Sequence, residues 1–577
     1  MKQFFKFVFA TIVGLILFSI ISTFFLLIGI VLMIPSAEPI KQNSVLYLKL
    51  EGDLIERSKD DLYSLLTSNE EPVIGLDDIL ASIREAKTNS NIKGIYLNPG
   101  FFRTGYASLN EIREALIDFK ESGKFVIAYS GSYTQGAYFL CSMADRVYLN
   151  KEGILDFRGI SASPLFFKNV LEKIGVEMQV VKVGTYKSFT EQFTNEEMSP
   201  ANREQMTLLV QTIWDNVVRG ISQSRYLAEE TLISAANEFL TFQAPEKALN
   251  LKMVDGLVYP DEIEAILRGY LEIDGKTEIS YVKPSDLINL NSGVSTSGSK
   301  NKIAIVYAVG EIDNGNTNGI QSAKLAKLLR NLEKDSLVKA VVLRINSPGG
   351  SAYGSEQICR AVSLLKETKP VIASMGDYAA SGGYYIACNA TKIVACPNTI
   401  TGSIGIFGII PNVDGLMNKI GINYDVVKTN NYADMPNIYR AMTGDERNII
   451  QNYVERGYNL FLKRCAEGRN MSIDSIANIA EGRVWPGTFA LSIGLVDQLG
   501  SLPDAIQLAS EEAGLSSYDI EEYPEKENWI AQLLKLPQIG MEKLFFGNTL
   551  TEERAILKKV YNIDRLQASL PFEIQMK

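Results

Sequence analysis

The sequence predicts an α/β protein made of two tandem copies of one domain, each copy holding a mostly parallel sheet. The first observation is an alternation of short apolar runs, such as Ile92–Leu97 and Phe125–Tyr129, with helical patterns such as Leu109–Phe119. This alternation is typical of βαβ units. The second observation is an internal repeat, and the third is an uncharged N-terminal run. At 577 residues the chain is also too long for a single compact core.

The N-terminal run, Phe7–Ile34, contains no charged residue and exceeds the roughly 20 residues that cross a bilayer. A cleaved signal peptide has a shorter apolar stretch and a small-residue cleavage site. Residues 1–35 are therefore predicted to be a short cytoplasmic stub and a single transmembrane anchor. Because Lys2 and Lys6 precede the run, we expect the N-terminus in the cytoplasm and the rest of the chain across the membrane.

Composition divides the remainder of the chain into three parts and a linker. The first α/β copy is predicted at 44–290, and the polar run at 291–301 is typical of a linker. The second α/β copy follows at 302–515. The repeat ends before 516–577, which is predicted to be a helical tail. The tail holds two amphipathic patterns, Trp529–Leu536 and Leu550–Tyr561.

The two copies repeat each other in sequence. Lys173–Lys182 aligns with Lys419–Lys428, and Lys93–Leu97 aligns with Lys339–Leu343 at the same offset. Matches at one constant offset indicate a duplicated domain. The copies therefore share a fold, and positions at which they differ are candidates for chemistry.

One turn of the second copy carries a serine that the first copy lacks. Gly376–Tyr385 reads GDYAASGGYY and places Ser381 between an apolar strand and a helical pattern. Such a turn exposes a hydroxyl and directs free backbone N–H groups at a ligand. The aligned run of the first copy, Gly131–Gly136, skips the position of Ser381. Close packing of a helix on a sheet also favours Ala-Ser-Gly-Gly, and the turn alone leaves that alternative open.

The first copy carries a lysine that the second copy lacks. Lys187, in the run GTYKS, aligns with Ala433. The chain contains no histidine, so a Ser-His-Asp triad and a Cys-His pair are excluded. The base for a serine nucleophile is then a lysine, a carboxylate or a terminal amine. Lys187 and Ser381 are candidates for one composite site per chain, with random divergence of two copies as the alternative.

A glycine motif in the second copy suits the stabilisation of an anion. Arg344–Ser351 reads RINSPGGS and follows an apolar strand. Gly349 or Gly350, together with Gly382 beside Ser381, could supply the two N–H donors of an oxyanion hole. A Pro-Gly turn leading into a helix is the alternative.

Composition argues against several partners and cofactors. The formal net charge is −10 and no basic aromatic stripe is present, so we expect no nucleic acid partner. The five cysteines show no Cys-x-x-Cys spacing, so neither a metal site nor another cofactor is predicted. Buried free thiols are expected at Cys141, Cys359, Cys388, Cys396 and Cys465.

Together with the anchor and the duplication, three motifs resemble those of the signal peptide peptidase A family in its long, two-domain form. The motifs are Asn346–Gly350, Gly376–Gly383 and Tyr186–Ser188, and the resemblance extends from the anchor to about Leu515. It implies two tandem Clp-protease or crotonase-like domains and a serine endopeptidase. The implied substrates are apolar peptides, above all cleaved signal peptides left in the membrane.

The resemblance also assigns roles to residues of this chain. It implies that Ser381 is the nucleophile, that Lys187 is the general base, and that Ser403 orients the lysine. It further implies a homotetramer at the bacterial inner membrane with its catalytic domains on the extracytoplasmic side. Two other interpretations stay open at this point: a crotonase-like acyl-CoA enzyme that needs no serine nucleophile, and a non-catalytic membrane scaffold.

Overall fold

The computed structural model describes residues 2–33, 39–58, 73–291, 299–313, 315, 319–526 and 566–569. Most of the predicted linker and both predicted tail helices lie outside the described residues. An N-terminal helix spans Lys2–Met33, and the structure describes only some of its side chains. Within the described part of the chain, no helix is long and apolar enough to cross a membrane. The anchor therefore stays a prediction.

The first half of the chain forms a sheet whose strands pair in parallel, in the order β2-β1-β3-β4-β5-β7, with β8 also beside β1. The strands are β1 (Ser44–Ile55), β2 (Val73–Gly75), β3 (Ile92–Arg103), β4 (Phe125–Tyr133), β5 (Arg146–Leu155), β7 (Gly256–Leu257) and β8 (Tyr281–Val282). Helices span Leu76–Thr88, Tyr106–Lys120, Gln135–Cys141, Lys168–Ile174, Glu191–Thr194, Pro200–Arg225, Glu229–Asn237, Pro245–Asn250, Pro260–Leu271 and Pro284–Asn291. Short 3₁₀ turns lie at Ser188–Thr190 and Leu240–Phe242.

The second half repeats this architecture in the order β16-β14-β12-β10-β9-β18, with β13 between β12 and β17. The pairings are parallel except for β14 with β16. The strands are β9 (Lys302–Val309), β10 (Val338–Ser347), β12 (Val371–Ala380), β13 (Lys392–Ala395), β14 (Ile400–Gly402), β16 (Val484–Pro486), β17 (Gln498–Leu499) and β18 (Asp519–Tyr523). Helices span Ser322–Lys334, Ala352–Lys366, Gly382–Ala387, Asp414–Lys419, Gly444–Arg469, Ile473–Ile479, Gly487–Ser492 and Leu502–Glu512.

A smaller antiparallel sheet joins the two halves in the order β11-β19-β15-β6. Its strands are β6 (Glu177–Lys182), β11 (Gly349–Ser351), β15 (Phe407–Asn412) and β19 (Leu566–Ser569). β6 belongs to the first half, and its Lys182 lies opposite Phe407 of β15 in the second half. Two strands, β18 and β19, lie within the predicted tail, where the sequence predicted helices. β18 extends the edge of the second sheet beside β9, whereas β19 lies between β11 and β15.

The prediction of duplicated α/β domains is confirmed, and the two halves also share a core. Side chains of β10 and β12 are buried along nearly their whole length, as parallel strands between helices require. The core cluster of the first half includes Ala380, Ile400 and Val484 from the second half. The interface between the halves is therefore packed like the interior of each half. All five thiols are buried and free, as expected.

A buried ion cluster crosses the same interface. Arg344 is fully buried and pairs with Glu56 and Glu111 of the first half at 2.5 and 2.7 Å. Burial raises the pKa of Glu111 to about 7, and the neighbouring Arg344 guanidinium opposes that rise. Asp377 accepts hydrogen bonds from the backbone N–H and the Oγ of Ser108, at 3.0 and 2.5 Å. These contacts fix the first half against the segment that leads to Ser381.

Replacing Arg344 tests how far this cluster stabilises the fold. Arg344→Leu leaves two buried carboxylates without their cation, so we expect a loss of roughly 3–5 kcal/mol in the free energy of unfolding, measured with urea. Lys49→Ala is the control, because the Lys49–Glu51 pair is about half exposed and water screens its attraction, so its loss should change the free energy of unfolding little. A loss for Arg344→Leu no larger than that of the control would contradict a stabilising role for the cluster.

Candidate active site

The turn between β12 and the helix Gly382–Ala387 holds Ser381 in a strained conformation. The backbone of Ser381 has φ 55° and ψ −114°, and residues other than glycine rarely adopt a positive φ. The Ser381 N–H donates to the carbonyl of Gly402 at 2.8 Å. Gly383 leaves room for close packing, since a Cβ there would lie 2.6 Å from the Ser347 carbonyl oxygen. The turn therefore presents the Ser381 hydroxyl from a fixed position.

The structure brings the three predicted side chains of the site together across the interface between the halves. The Lys187 Nζ lies 2.7 Å from the Ser381 Oγ. The same Nζ donates to the Oγ of Ser403 at 2.9 Å and to the Ser403 carbonyl oxygen at 3.1 Å. Lys187 comes from the first half and both serines come from the second, so neither half holds the site alone.

Lys187 is fully buried, and burial lowers its pKa well below the ordinary value of a lysine. The physical cause is desolvation, which penalises the ammonium form and leaves the amine unaffected. Its polar neighbours named above are hydroxyl and carbonyl groups, and the Phe407 ring centroid lies 5.9 Å from the Nζ. A neutral Lys187 can accept a proton, which a charged lysine cannot.

Residues that the sequence did not single out hold the backbone around Lys187. Tyr186 donates its N–H to the carbonyl of Glu481 at 2.9 Å. The Gln205 Nε2 donates to the Tyr186 carbonyl at 3.0 Å and to the Ser188 Oγ at 2.9 Å. The Gln205 Oε1 accepts from the N–H of Val484 at 3.2 Å. Gln205 thus ties both sides of Lys187 to the second half, and no sequence pattern marks a single buried glutamine in a long helix.

Two glycines of the second half make room for the lysine side chain. A Cβ at Gly482, where φ is +78°, would lie 2.6 Å from the Lys187 Cβ and 2.7 Å from its N. A Cβ at Gly405 would lie 3.3 Å from the Lys187 Cδ. Gly405 lies two residues after Ser403, whereas Gly482 lies in a loop that only tertiary packing brings close to Lys187. The Lys187 side chain therefore runs through a channel that any residue larger than glycine at position 482 would obstruct.

The three predicted oxyanion glycines lie side by side. A Cβ at Gly382 would lie 3.1 Å from both the Gly349 Cα and the Gly350 N. Gly382 is the first residue of its helix, so its N–H has no acceptor within the helix. The Gly349 N–H donates to the Ser347 Oγ at 3.2 Å, which leaves Gly350 as the better placed second donor.

The matching turn of the first half is built differently. β4 leads into the helix Gln135–Cys141 through Thr134, whose Oγ1 accepts from the N–H of Ala137 at 3.3 Å. This is an ordinary N-cap, in which the Thr134 hydroxyl accepts a hydrogen bond from an N–H group of the first helical turn. The Gln135 Oε1 accepts from the N–H groups of Arg158 and Gly159 at 3.2 and 2.9 Å. In the first half, the side chains at this turn therefore stabilise the local structure, whereas in the second half the turn holds Ser381.

Among the described residues, no group of three or more cysteine or carboxylate side chains is arranged to hold a metal ion. The chemistry available at the site is that of a serine hydroxyl, a desolvated amine and backbone N–H groups. A hydroxyl beside a neutral amine is suited to nucleophilic attack on a carbonyl carbon.

Comparisons with known proteins agree with this chemistry. A family model described as Peptidase family S49 matches residues 118–272 and 363–516. Protease 4 of Salmonella typhi is 36% identical over 462 residues, covering 78% of this chain and 74% of that protein. Serine protease SPPA, chloroplastic, of Arabidopsis thaliana is 30% identical over 486 residues, covering 82% and 70%. Putative signal peptide peptidase SppA of Enterococcus faecium is 35% identical over 196 residues, covering 34% and 57%.

The duplicated α/β fold and these relatives define the chain as a serine protease. The match to both halves and the extended similarity to Protease 4 then place it in a family: the chain belongs to peptidase family S49.

The channel for Lys187 can be tested at Gly482. Gly482→Ala adds a methyl group in a left-handed backbone conformation and against Lys187, so we expect peptidase activity to fall about 100-fold or more. Gly494→Ala is the matched control, because φ there is +80° and the nearest atom to an added Cβ is the Met471 Sδ at 3.5 Å. Equal activity in the two variants would contradict the channel.

Burial of Lys187 should reduce stability. Between the lowered folded-state pKa and about 10.4, the unfolded chain binds a proton on Lys187 that the folded chain does not, so this lysine destabilises the fold increasingly as pH falls through that range. Lys187→Met removes this cost. We expect a higher Tm at pH 7 in scanning calorimetry, by about 1 °C for each ~1 kcal/mol regained, because the entropy of unfolding grows with chain length. The exposed Lys339→Met is the control, and a lower Tm for Lys187→Met would argue against a neutral buried lysine.

Proposed function

We propose that this chain is a membrane-anchored serine endopeptidase that uses a Ser-Lys dyad to degrade cleaved signal peptides and similar apolar peptides. The observation that carries the proposal is the 2.7 Å distance between the Lys187 Nζ and the Ser381 Oγ at a fully buried site. In this proposal Ser381 is the nucleophile, Lys187 is the general base, and Ser403 orients the amine.

The hydrogen bonds around Lys187 match those of a neutral amine. Such an amine has two N–H donors and one lone pair. The carbonyl oxygen and the Oγ of Ser403 accept the two N–H groups, and the lone pair is then free to face the Ser381 hydroxyl. Ser403 therefore selects the orientation in which Lys187 can take a proton.

The reaction follows in two halves. The Ser381 Oγ attacks the peptide carbonyl carbon while its proton passes to the Lys187 Nζ. The resulting ammonium returns that proton to the leaving amine, the C–N bond breaks, and an ester on Ser381 remains. A water molecule then attacks the ester with Lys187 again as base, which releases the acid and restores the hydroxyl. The N–H groups of Gly382 and Gly350, which lie beside Gly349, stabilise the oxyanion during both acylation and hydrolysis of the ester.

Signal peptides are proposed as substrates on the strength of two observations. The relative from Enterococcus faecium bears the name putative signal peptide peptidase, and the resemblance in sequence implies the same substrates. An extended apolar peptide also suits a site that recognises main chain through glycine-rich strands. A Clp-protease or crotonase-like fold in each half belongs to the same proposal and is supported by the parallel sheets with covering helices.

The proposal includes the anchor and the location. The uncharged run Phe7–Ile34 and the preceding Lys2 and Lys6 support a single pass with the N-terminus inside. The protease domains then lie on the extracytoplasmic side of the bacterial inner membrane. Signal peptides that remain in that membrane would reach the site from the same bilayer.

Assembly into a ring of identical chains, the implied homotetramer, is supported by the repeat. Within one chain β6 of the first copy pairs with β15 of the second. The repeat partners of these strands are 423–428 and 161–166, and neither segment is assigned to a strand in the structure as described. Both regions expose apolar side chains, including Leu165 at 69% and Val427 at 99%. The same pairing between neighbouring chains would cover them, and repetition of such a head-to-tail contact closes a ring.

Removing either partner of the dyad tests the proposal. Ser381→Ala and Lys187→Ala should each lower cleavage of an unfolded apolar peptide by at least about 10³-fold, because nucleophile and base act as a unit. Lys339→Ala, at an exposed lysine, should keep full activity. A fluorophosphonate should label Ser381 in the parent protein and should fail to label Ser381→Ala.

Each alternative interpretation predicts a different outcome of this experiment. An acyl-CoA enzyme without a serine nucleophile would resist the fluorophosphonate, and a scaffold would leave the peptide intact in every variant. Full activity in either alanine variant would refute the dyad.

The pH dependence tests the protonation state of the base. Lys187 works only when neutral, so kcat/KM should rise with pH through its lowered pKa, falling about tenfold for each pH unit below that pKa, and then level off. The profile is measured with one peptide substrate between pH 5 and pH 10. A flat profile across that range would contradict lysine as the base.

A further inference from the structure

Arg483 lies between two aromatic rings beside the channel of Lys187. Its Cζ lies 4.7 Å from the ring centroid of Tyr186 and 4.5 Å from that of Trp485. Tyr186 immediately precedes Lys187 in the sequence, and Gly482, which lines the channel, immediately precedes Arg483. The Arg483 side chain is only 19% exposed. The guanidinium therefore packs against the residue before the general base, close to the protein surface.

The main chain of Arg483 holds the other group that orients the base. The Arg483 carbonyl accepts a hydrogen bond from the Ser403 N–H at 2.7 Å. Ser403 in turn accepts from the Lys187 Nζ through its Oγ and its carbonyl oxygen. One residue thus contacts both sides of the amine, Ser403 through its backbone and the segment Tyr186–Lys187 through its side chain.

The charge of Arg483 alone does not explain its position. Its Nη2 lies 2.8 Å from the Glu204 Oε1, but the Glu204 side chain is 57% exposed, and so exposed a pair contributes little. The Arg483 Nε is buried and has no hydrogen-bond acceptor within the described part of the chain. Burial of an unpaired N–H group is unfavourable, so the contacts of the guanidinium plane with the two rings offset it.

We propose that Arg483, stacked between Tyr186 and Trp485, is a positioning residue that closes the channel of Lys187 to water and fixes Ser403 against the amine. This inference rests on the proposed peptidase function and acts through the general base. Water that entered the channel would solvate the ammonium form and raise the pKa of Lys187. A smaller fraction of the enzyme would then hold a neutral base at a given pH.

The first measurement is the pH profile of Arg483→Ala in the full chain. We expect the midpoint of the kcat/KM profile to move to higher pH by about one unit, so that kcat/KM below the midpoint falls about tenfold. The alkaline plateau should stay within about threefold of the parent protein, because the base is neutral there in both proteins. A purely structural role would instead lower the profile by the same factor at every pH, because only the folded fraction would change.

Arg456→Ala is the matched control for the loss of an arginine that packs on an aromatic ring. The Arg456 Cζ lies 5.0 Å from the ring centroid of Tyr453, and both residues are exposed on the helix Gly444–Arg469. Its profile should match that of the parent protein.

Variants of Tyr186 separate the stack from the hydrogen bonds around it. Tyr186→Phe keeps the ring and removes the hydroxyl that donates to the Glu204 Oε2 at 3.2 Å, so its midpoint should stay at the parent value. Tyr186→Leu removes the ring and should move the midpoint as far as Arg483→Ala does, and the double variant should move it no further. Arg483→Lys keeps the charge and loses the plane, so it should also raise the midpoint, and it replaces Arg483→Ala if that variant folds poorly.

Nitrogen-15 NMR of the Lys187 side chain gives a readout that does not depend on turnover. We expect the Lys187 amine to take up its proton at a higher pH in Arg483→Ala than in the parent protein. An unchanged kinetic midpoint or an unchanged Lys187 titration would overturn the role of Arg483 while the parent protein still cleaves peptide. Equal rates of cleavage for the parent protein and Lys187→Ala would refute the peptidase function itself.

Discussion

The site depends on one desolvated amino group held between two halves of a single chain. Lys187 is fully buried, and desolvation lowers its pKa, so the contact with Ser381 at 2.7 Å is one that a proton acceptor can use. In water the same side chain would be charged at neutral pH and unable to act as a base. Everything that keeps the interface closed, including the cluster around Arg344 and the backbone contacts of Gln205, therefore contributes to the chemistry as well as to the fold.

Duplication explains how such a site can be divided. Both copies keep the strand-to-helix turn, but the first uses it for the N-cap of Thr134 and the second for the strained Ser381. The first copy keeps Lys187 where the second has Ala433, which lies in an exposed segment. Each half has kept one partner, and the antiparallel pairing of β6 with β15 brings the two together. The strain at Ser381 and the burial of Lys187 both reduce stability, and the shared core offsets them.

Much of the fold and of the site could be predicted from sequence. Alternating apolar runs predicted the parallel sheets, and a glycine-rich turn indicated Ser381 and Gly382. Lys187 was indicated by the comparison of the two copies and by the absence of histidine. Gln205 and Gly482 could not be found in this way, since their roles arise only where distant segments meet the lysine. The strand β19 was missed for the same reason: its four residues carry no pattern of their own, and its partners lie far away in the sequence.

The protonation state of Lys187 in the folded protein is the most direct test of a desolvated, neutral base at this site. Nitrogen-15 NMR of lysine side chains can separate a neutral amine from an ammonium, and Lys187→Met assigns the signal by its disappearance. We expect a neutral Lys187 amine at pH 8, at which an ordinary exposed lysine is charged. A Lys187 signal that stays an ammonium up to the pH at which ordinary lysines titrate would contradict it.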